Sequence, residues 1–291
     1  MTGIPQYITS FPNMHTALPV HFSLNRLPAG YRAHRHDFLE FSYVVEGRGF
    51  ETINGVQHPM LPGTFTFVLP YQIHELFTDP GSELVLYNCN FGMDFLLQPS
   101  PFSTGSEGLG RLIEAEAAAP YYLFDEHSAA EIKRIMTEMH KEYQGNDWGR
   151  STRLAIKLME ALILFHRSRS KHSRSSAPAI PSQTRAAWHI IHYLQQHYTR
   201  EDLTLTELSK QFAMSVSRIS EVIKEKTGQH YLELLNDLRI RHAIGLMGST
   251  EMSMTEIAHE SGYGSYKTFS RIFRERQGVV PSAYRKMKMT F

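Results

Sequence analysis

The sequence predicts an α+β fold in two parts: an N-terminal antiparallel β-barrel or jelly roll with a helical pair, then a C-terminal all-α domain. Three observations predict it. Residues 20 to about 92 hold short apolar runs punctuated by Gly, Pro and Asn, as a small barrel does. Residues 127–167 hold two stripes of apolar side chains at helical spacing. Thr204 to Arg285 holds one helix-turn-helix pattern twice. A chain of 291 residues has room for two ordinary domains, and the expected boundaries are 1–167, a linker at 168–183, and 184–291. With 42% hydrophobic and 20% charged residues the chain is not of the disordered class.

Taken in order, the predicted strands run from Phe38 to Val45, Phe50 to Ile53, Phe65 to Leu69 and Leu84 to Phe91. Glu46-Gly47-Arg48-Gly49 turns the first of these, and Asn54-Gly55 after the second is a strong hairpin signal. Cys89 is the single cysteine, so no internal disulfide can form, and its apolar strand predicts a buried thiol. With no signal-peptide pattern, and no apolar run near the ~18 to 20 residues that span a membrane, a cytoplasmic protein is expected.

His34, His36 and Glu40 are all at even positions, so on a regular strand they share a face with Phe38, Ser42 and Val44. His74 follows the Pro70-Tyr71-Gln72-Ile73 turn at the start of a later strand. These four side chains, with Arg32, Tyr43 and Tyr87, are the candidate small-molecule site, in which imidazoles exchange hydrogen bonds with ligand hydroxyls or with one another.

Pro99 to Pro120 is rich in Gly, Ser and Ala, with a short helix expected over Leu109 to Ala119. Next come two amphipathic helices, one with Ile132, Ile135, Met136, Met139 and Tyr143, the other with Leu154, Leu158, Leu162 and Phe165. Their stripes serve packing on the barrel, a homodimer interface, or both. Ser168 to Ser182 reads as a flexible, solvated linker.

In the last domain Thr204 with Glu207 and Ser253 with Glu256 each predict a capping box at a helix start. Each short helix breaks, at Ala213-Met214-Ser215 or at Gly262-Tyr263-Gly264-Ser265, and the second break is one residue longer. Second helices follow, with Ile219, Val222 and Ile223 in one and Phe269, Ile272 and Phe273 in the other, closed by Gly228 and Gly278. A helix over His230 to Met247, ~27 Å long at 1.5 Å per residue, joins the copies, a length that suits recognition helices in successive major grooves. Charge agrees: residues 1–166 carry 11 Lys/Arg against 18 Asp/Glu, net −7, and residues 167–291 carry 19 against 11, net +8.

On these residues the chain resembles the AraC/XylS family of transcription regulators. The matching positions are Leu205, Leu208, Ser209, Ile219, Val222, Lys224, Gly228, Leu238, Arg239, Ala243, Ile257, Ala258, Gly262, Tyr263, Phe269, Arg271, Phe273, Arg274, Gly278, Pro281, Tyr284 and Arg285. The resemblance implies double-stranded DNA as partner, a small-molecule effector, a homodimer, no membrane association, and RNA polymerase as a further candidate partner. The outward faces expected on DNA are Ser217, Arg218, Ser220, Glu221 and Lys224 in the first recognition helix and Tyr266, Lys267, Ser270, Arg271 and Arg274 in the second. Arg271 and Lys267 are placed to read guanine. Lys210, Lys224, Arg274 and Arg285 are expected on phosphates. Glu221 departs from the family, where many relatives have Arg; it accepts from cytosine N4, or pairs with Lys224 or Arg218.

The His-x-His, Glu40 and Gly47 spacing with the later His74 is similar to the cupin motif pair, though Gly30 lies closer to His34 than in the standard motif. Around His34 to Gly49 the sequence looks like the rhamnose-regulator type. In metal cupins these four positions hold Fe, Mn, Ni or Zn; the expectation here is a hydrogen-bonding site with no cofactor, a divalent metal being the alternative. The resulting expectation is a non-enzymatic regulator, an activator responding to a carbohydrate. The alternatives are a metal-dependent cupin dioxygenase or isomerase fused to a DNA-binding domain, and a constitutive DNA-binding protein whose barrel only dimerises.

Overall fold

The computed structural model describes residues 5–14, 16, 18–97, 112, 119–172 and 182–289. It divides into two compact units, Met1–Pro181 and Ser182–Phe291. Most of the short helix expected over Leu109 to Ala119, and most of the expected linker, fall outside the described residues.

The first unit is a two-sheet jelly roll. Its strands are β1 (Gln6–Ile8), β2 (Val20–Leu27), β3 (Tyr31–His36), β4 (Leu39–Glu46), β5 (Gly49–Ile53), β6 (Val56–Met60), β7 (Thr64–Val68), β8 (His74–Thr78), β9 (Leu84–Phe91) and β10 (Tyr121–Leu123). One sheet has the order β1-β3-β8-β5-β6 and the other β10-β7-β4-β9-β2. Neighbours are antiparallel apart from β1, which runs parallel to β3. Asn54 (φ 49°) and Gly55 (φ 82°) turn β5 into β6, both in the left-handed region a two-residue hairpin requires. Gly47 also has positive φ (85°), and a Cβ there would run into the Glu83 carbonyl.

One expectation about these strands fails. His34 and His36 belong to β3 in the first sheet, whereas Glu40 belongs to β4 in the second, so no single regular strand carries all three. The chain changes sheets at Asp37-Phe38, with the His36 carbonyl accepting from Tyr71 N at 2.6 Å. Stacked sheets need such a corner.

The outer face of the second sheet is aromatic and is covered by helices. Following α1 (Asp94–Leu97), α2 (Glu126–Gln144) is capped by Asp125, which accepts from Ser128 N at 2.8 Å, and α3 (Arg150–His172) returns beside it. Ile132, Ile135, Met136, Met139, Leu154, Leu158, Leu162 and Phe165 are all buried, and the Phe165 ring stacks on Phe65 at 4.7 Å. Packing against the barrel thus consumes the predicted stripes. Helix α3 runs past Arg167 to His172, into the stretch expected as linker. Ser168 and Arg169 are buried there, and Arg169 donates to the Ala119 carbonyl at 3.1 Å with its guanidinium over Phe165.

The second unit is all helical: α4 (Ser182–His197), α5 (Leu205–Phe212), α6 (Val216–Thr227), α7 (Tyr231–Ser249), α8 (Met254–Glu260), α9 (Tyr266–Gln277) and α10 (Pro281–Met289). Trp188, Ile191 and Leu194 of α4 are core. Ser253 and Glu256 form the predicted capping box of α8. At α5 only half of it forms. Thr204 accepts from Glu207 N at 3.2 Å, while the Glu207 carboxylate takes an ion pair with Arg200 at 2.6 Å instead. Ser215 and Ser265 cap α6 and α9, and Gly228 and Gly278 end them with φ of 72° and 77°. The joining helix α7 buries Leu234, Leu235, Leu238, Ile240, Ala243 and Met247, so both motifs share it as core. Its Arg239 is buried too, donating to the Tyr198 and Arg200 carbonyls at 2.7 Å each.

Candidate functional site

Inside the barrel the first sheet lays a row of polar side chains across four strands. His34 on β3 stands in register with His74 on β8, with ring centroids 4.0 Å apart. Diagonal to His74 is Glu51 on β5, and opposite Glu51 is His58 on β6. Hydrogen bonds join them: His74 Nδ1 to Glu51 Oε1 at 3.0 Å, and His58 Nε2 to Glu51 Oε2 at 3.1 Å. His36 Nε2 lies 3.2 Å from His74 Nε2, and Glu40 crosses from the other sheet to place a carboxylate oxygen 3.6 Å from His36 Nε2. One donor atom from each of His34, His36, Glu40 and His74 falls within 4.8 Å of the others. The four residues predicted together are brought together, through a corner between sheets rather than along a strand.

Burial dominates the electrostatics of the cluster. It pushes His34 down to about 4, assisted by the neighbouring His74, and holds His36 well below the ordinary imidazole value. Burial also raises Glu40. Glu51 goes the other way: its burial is outweighed by the hydrogen bonds from His58 and His74, which bring the carboxyl down to about 2. His74 is raised, because Glu51 and Glu40 outweigh desolvation of its ring.

Next to this cluster is a cavity of about 500 Å³, lined among others by His34 and Glu40. Its floor is the inner face of the second sheet, where strand register sets side chains in rows: His21, Asn90 and Glu40 in one, Ser23, Asn88 and Ser42 in the next. Asn88 hydrogen-bonds the Glu40 carboxylate. Asn90 Oδ1 is buried without a partner among the described residues. Phe11 and Phe38, in edge contact at 4.9 Å, give an apolar wall.

Three candidates do not reach this cavity. Tyr43 and Tyr87 are cross-strand neighbours whose side chains project from the opposite face of their sheet, toward the helices: Tyr43 Oη donates to the Ala129 carbonyl at 3.3 Å, and Tyr87 stacks on Phe22. Odd positions on β4 and β9 face outward, as alternation dictates. Arg32 is exposed and donates to Gln6 Oε1 at 2.7 Å, because the register shifts between Tyr31 and His34 and re-aims the strand. Sequence reasoning missed Glu51, His58, Ser23, Asn88 and Asn90. Period-2 alternation with the buried Ile53 and Leu86 was the available signal.

The second unit presents the other candidate surface. Ser217, Glu221 and Lys224 on α6 are exposed and Arg218 and Ser220 half-buried, opposite buried Ile219 and Ile223. On α9, Tyr266, Lys267, Arg271 and Arg274 are exposed and Ser270 half-buried, opposite buried Phe269 and Phe273. Arg218 pairs with Glu221 at 2.7 Å, and Arg271 with Glu275 at 2.7 Å. Arg285 is not aimed at solvent: half-buried, it donates to the Met252 carbonyl at 2.7 Å and braces the loop before α8.

A family profile described as an AraC-like ligand binding domain matches residues 26–162, and one described as a helix-turn-helix domain matches residues 208–287. The HTH-type transcriptional activator RhaS of Enterobacter sp. (strain 638) is 25% identical over 280 residues, covering 95% of this chain and 94% of that protein. RhaS of Escherichia coli O1:K1 / APEC is 26% identical over 266 residues, 90% of each chain. Among solved structures, ToxT from Vibrio cholerae O395 aligns with 92% of this chain and 97% of its own, at a TM-score of 0.47 and 14% identity. No described helix is long and apolar enough to cross a membrane.

Proposed function

We propose, starting from the chain's membership of the AraC family of small-molecule-responsive, DNA-binding transcription regulators, that its effector is a carbohydrate or similar polyol and that the protein is an activator. The observation that carries the effector class is the cavity floor. Ser23, Asn88, Ser42, Asn90 and His21 offer hydroxyl, amide and imidazole groups that both donate and accept, in cross-strand rows. Adjacent ligand hydroxyls need that alternation, and the Phe11 and Phe38 wall suits the apolar face of a sugar ring.

On this reading α6 and α9 enter successive major grooves. Arg271 and Lys267 read base edges, Arg274 and Lys224 hold phosphates, and the serines at the helix starts contact either. Glu221 keeps Arg218 in an intrahelical pair, which favours the pairing reading of this residue over cytosine recognition. Activation proceeds in the cytoplasm through a homodimer and contact with RNA polymerase. Relatives named as transcriptional activators support the sign. Ile156 and Ile163, seven residues apart on α3 and exposed after the main stripe is buried, support the dimer. The effector shifts the balance of DNA-binding arrangements only by its differential affinity for them.

The test is the melting temperature of the full-length protein against a panel of monosaccharides, disaccharides and aromatic acids, followed by DNA binding with each ligand that shifts it. At 100 times its dissociation constant a ligand stabilises the native state by ~2.7 kcal/mol. A sugar that raises the melting temperature and changes DNA affinity is the expected result. A shift confined to aromatic acids overturns the carbohydrate reading.

A further inference from the structure

We propose that Asp237 is a positioning residue of the DNA-binding unit: its one carboxylate ties the ends of both recognition helices, so that a single chain reads two groove segments at one fixed spacing. Asp237 lies on α7, the helix both motifs share, and each of its oxygens serves a different motif. Oδ2 accepts from Gln229 Nε2 at 2.6 Å, and Gln229 directly follows Gly228, the residue that ends α6. Oδ1 pairs with Arg276 Nη1 at 3.2 Å, and Arg276 stands in the last turn of α9, two residues before its own terminating Gly278. The two partners thus come from matching places in the repeat, the C-terminal ends of α6 and α9. With side chains 19% and 33% exposed, Asp237 and Arg276 are less screened by solvent than the surface pair of Arg271 and Glu275.

Packing alone does not set that spacing. Apolar contact with α7 is non-directional and leaves α6 and α9 able to roll on it, whereas hydrogen bonds to a charged group fix an angle. A second attachment lies beside the first. Tyr263, in the turn of the second motif, donates to Asn236 Oδ1 at 3.3 Å, one residue from Asp237. Its neighbour Gly262 (φ 82°) lies so close to the segment preceding the first motif that a Cβ there would come 2.7 Å from the Thr199 carbonyl oxygen. Arg239 closes the same seam, its guanidinium 5.4 Å from the Tyr263 ring centroid while it donates to the Tyr198 and Arg200 carbonyls. Held at two points, the motifs resist rotation about α7, and such a rotation is what would let α6 and α9 follow grooves at another spacing. The inference rests on α6 and α9 entering successive major grooves; Asp237 acts through the helices it ties.

The experiment compares full-length wild type, Asp237→Asn and Arg276→Gln by fluorescence anisotropy on two duplexes. One is selected from a randomised library; the other carries a single base pair inserted between the two groove segments that missing-base footprinting assigns to one chain. The insertion shifts those segments by about 3.4 Å and turns them by roughly 35°. The readout is the ratio of the two affinities. A changed net charge acts on both duplexes alike, as does a smaller folded fraction, so both cancel in the ratio and only geometry remains. Wild type should lose roughly tenfold or more on the inserted duplex. Asp237→Asn keeps the shape of the side chain but not its charge, and should lose about 2- to 30-fold less than wild type does. Arg276→Gln, at a position one-third exposed, should relax the ratio in the same way and keeps the test open if the Asp237 variant fails to fold. A strict wild type with an equally strict folded variant overturns the role of Asp237 alone. A wild type indifferent to the insertion overturns the reading of successive grooves, and the proposal with it.

Discussion

Replacing Arg271 by Ala separates base reading from phosphate holding in the second motif. In the free protein Arg271 lies on the outer face of α9, its side chain 61% exposed, and pairs with Glu275, 56% exposed, at 2.7 Å. Exposed pairs four residues apart on a helix contribute about 0.3 to 0.5 kcal/mol, and Ala is the better helix former, so folding stability should change by less than ~0.5 kcal/mol. On DNA the loss is larger. A guanidinium that grips guanine O6 and N7 discriminates by about 1 to 3 kcal/mol, which at 1.4 kcal/mol per tenfold is roughly 5- to 150-fold in affinity. The assay is fluorescence anisotropy at fixed salt on a duplex selected from a randomised library, compared with a scrambled duplex and with single guanine replacements. Specific affinity should fall by that factor, and one guanine replacement should cost the variant nothing further. Arg274→Ala should instead weaken both duplexes alike and flatten the salt dependence by about one ion. If Arg271→Ala lowers affinity equally for selected and scrambled DNA, the assignment of Arg271 to a base is wrong and it is a phosphate contact.

Asn88→Ala deletes the centre of a cavity row and leaves a ligand hydroxyl without its partner, a cost of about 1 to 3 kcal/mol. Calorimetric affinity for the effector should drop about 5- to 150-fold with DNA affinity of the free protein unchanged; an unaltered effector constant would remove the polar floor from the site. Glu221→Gln releases Arg218 from its 2.7 Å pair and removes a negative charge from the DNA-facing side. Affinity for random DNA should rise several-fold and its salt slope steepen by about one ion, whereas weaker binding to cytosine-containing sites alone would revive base recognition by Glu221. His34 and His36 are held neutral below the ordinary imidazole value of 6.5, so the unfolded chain binds more protons than the folded one as pH falls. Their contribution, roughly 3 kcal/mol for His34 alone, is present above pH 6.5 and is lost between there and about 4. His74, with its raised value, acts in the opposite sense and loses its contribution as pH rises through that value. Melting followed from pH 7 to 4 should show a net fall that His34→Gln reduces; a rise would mean that His74 dominates.

Much of the second unit was legible because its signals are local. A capping Ser, apolar positions every three or four residues and a terminating Gly lie within a dozen residues, and α6 and α9 use all of them. The repeat then multiplies a weak pattern into a strong one. Local reading failed where a partner came from outside the window. Glu207 has the capping-box position, yet Arg200, upstream of the helix, takes its carboxylate. Arg285 carries a family-like charge at an expected phosphate position, yet Met252, 33 residues earlier, accepts from it.

The barrel cluster shows the same limit more sharply. Spacing alone collected His34, His36, Glu40 and His74, but the reason they meet is a corner at Asp37-Phe38 that throws Glu40 into the other sheet. A strictly alternating strand would have set those side chains in a line about 7 Å apart at every second residue, too far for one shared proton. Within β4 ordinary alternation then keeps Glu40 and Ser42 inward and turns Tyr43 to the helices. Glu51 and His58 were invisible for a different reason. Each is an ordinary polar residue in its own strand, and only the β5 to β6 register, set by the Asn54-Gly55 turn, makes them a pair behind His74. That turn was itself readable. Carried two residues back from the hairpin, its register predicts that residue 51 opposes residue 58, and a carboxylate opposite an imidazole on an inward face is the mark of a buried polar site rather than of a solvated edge.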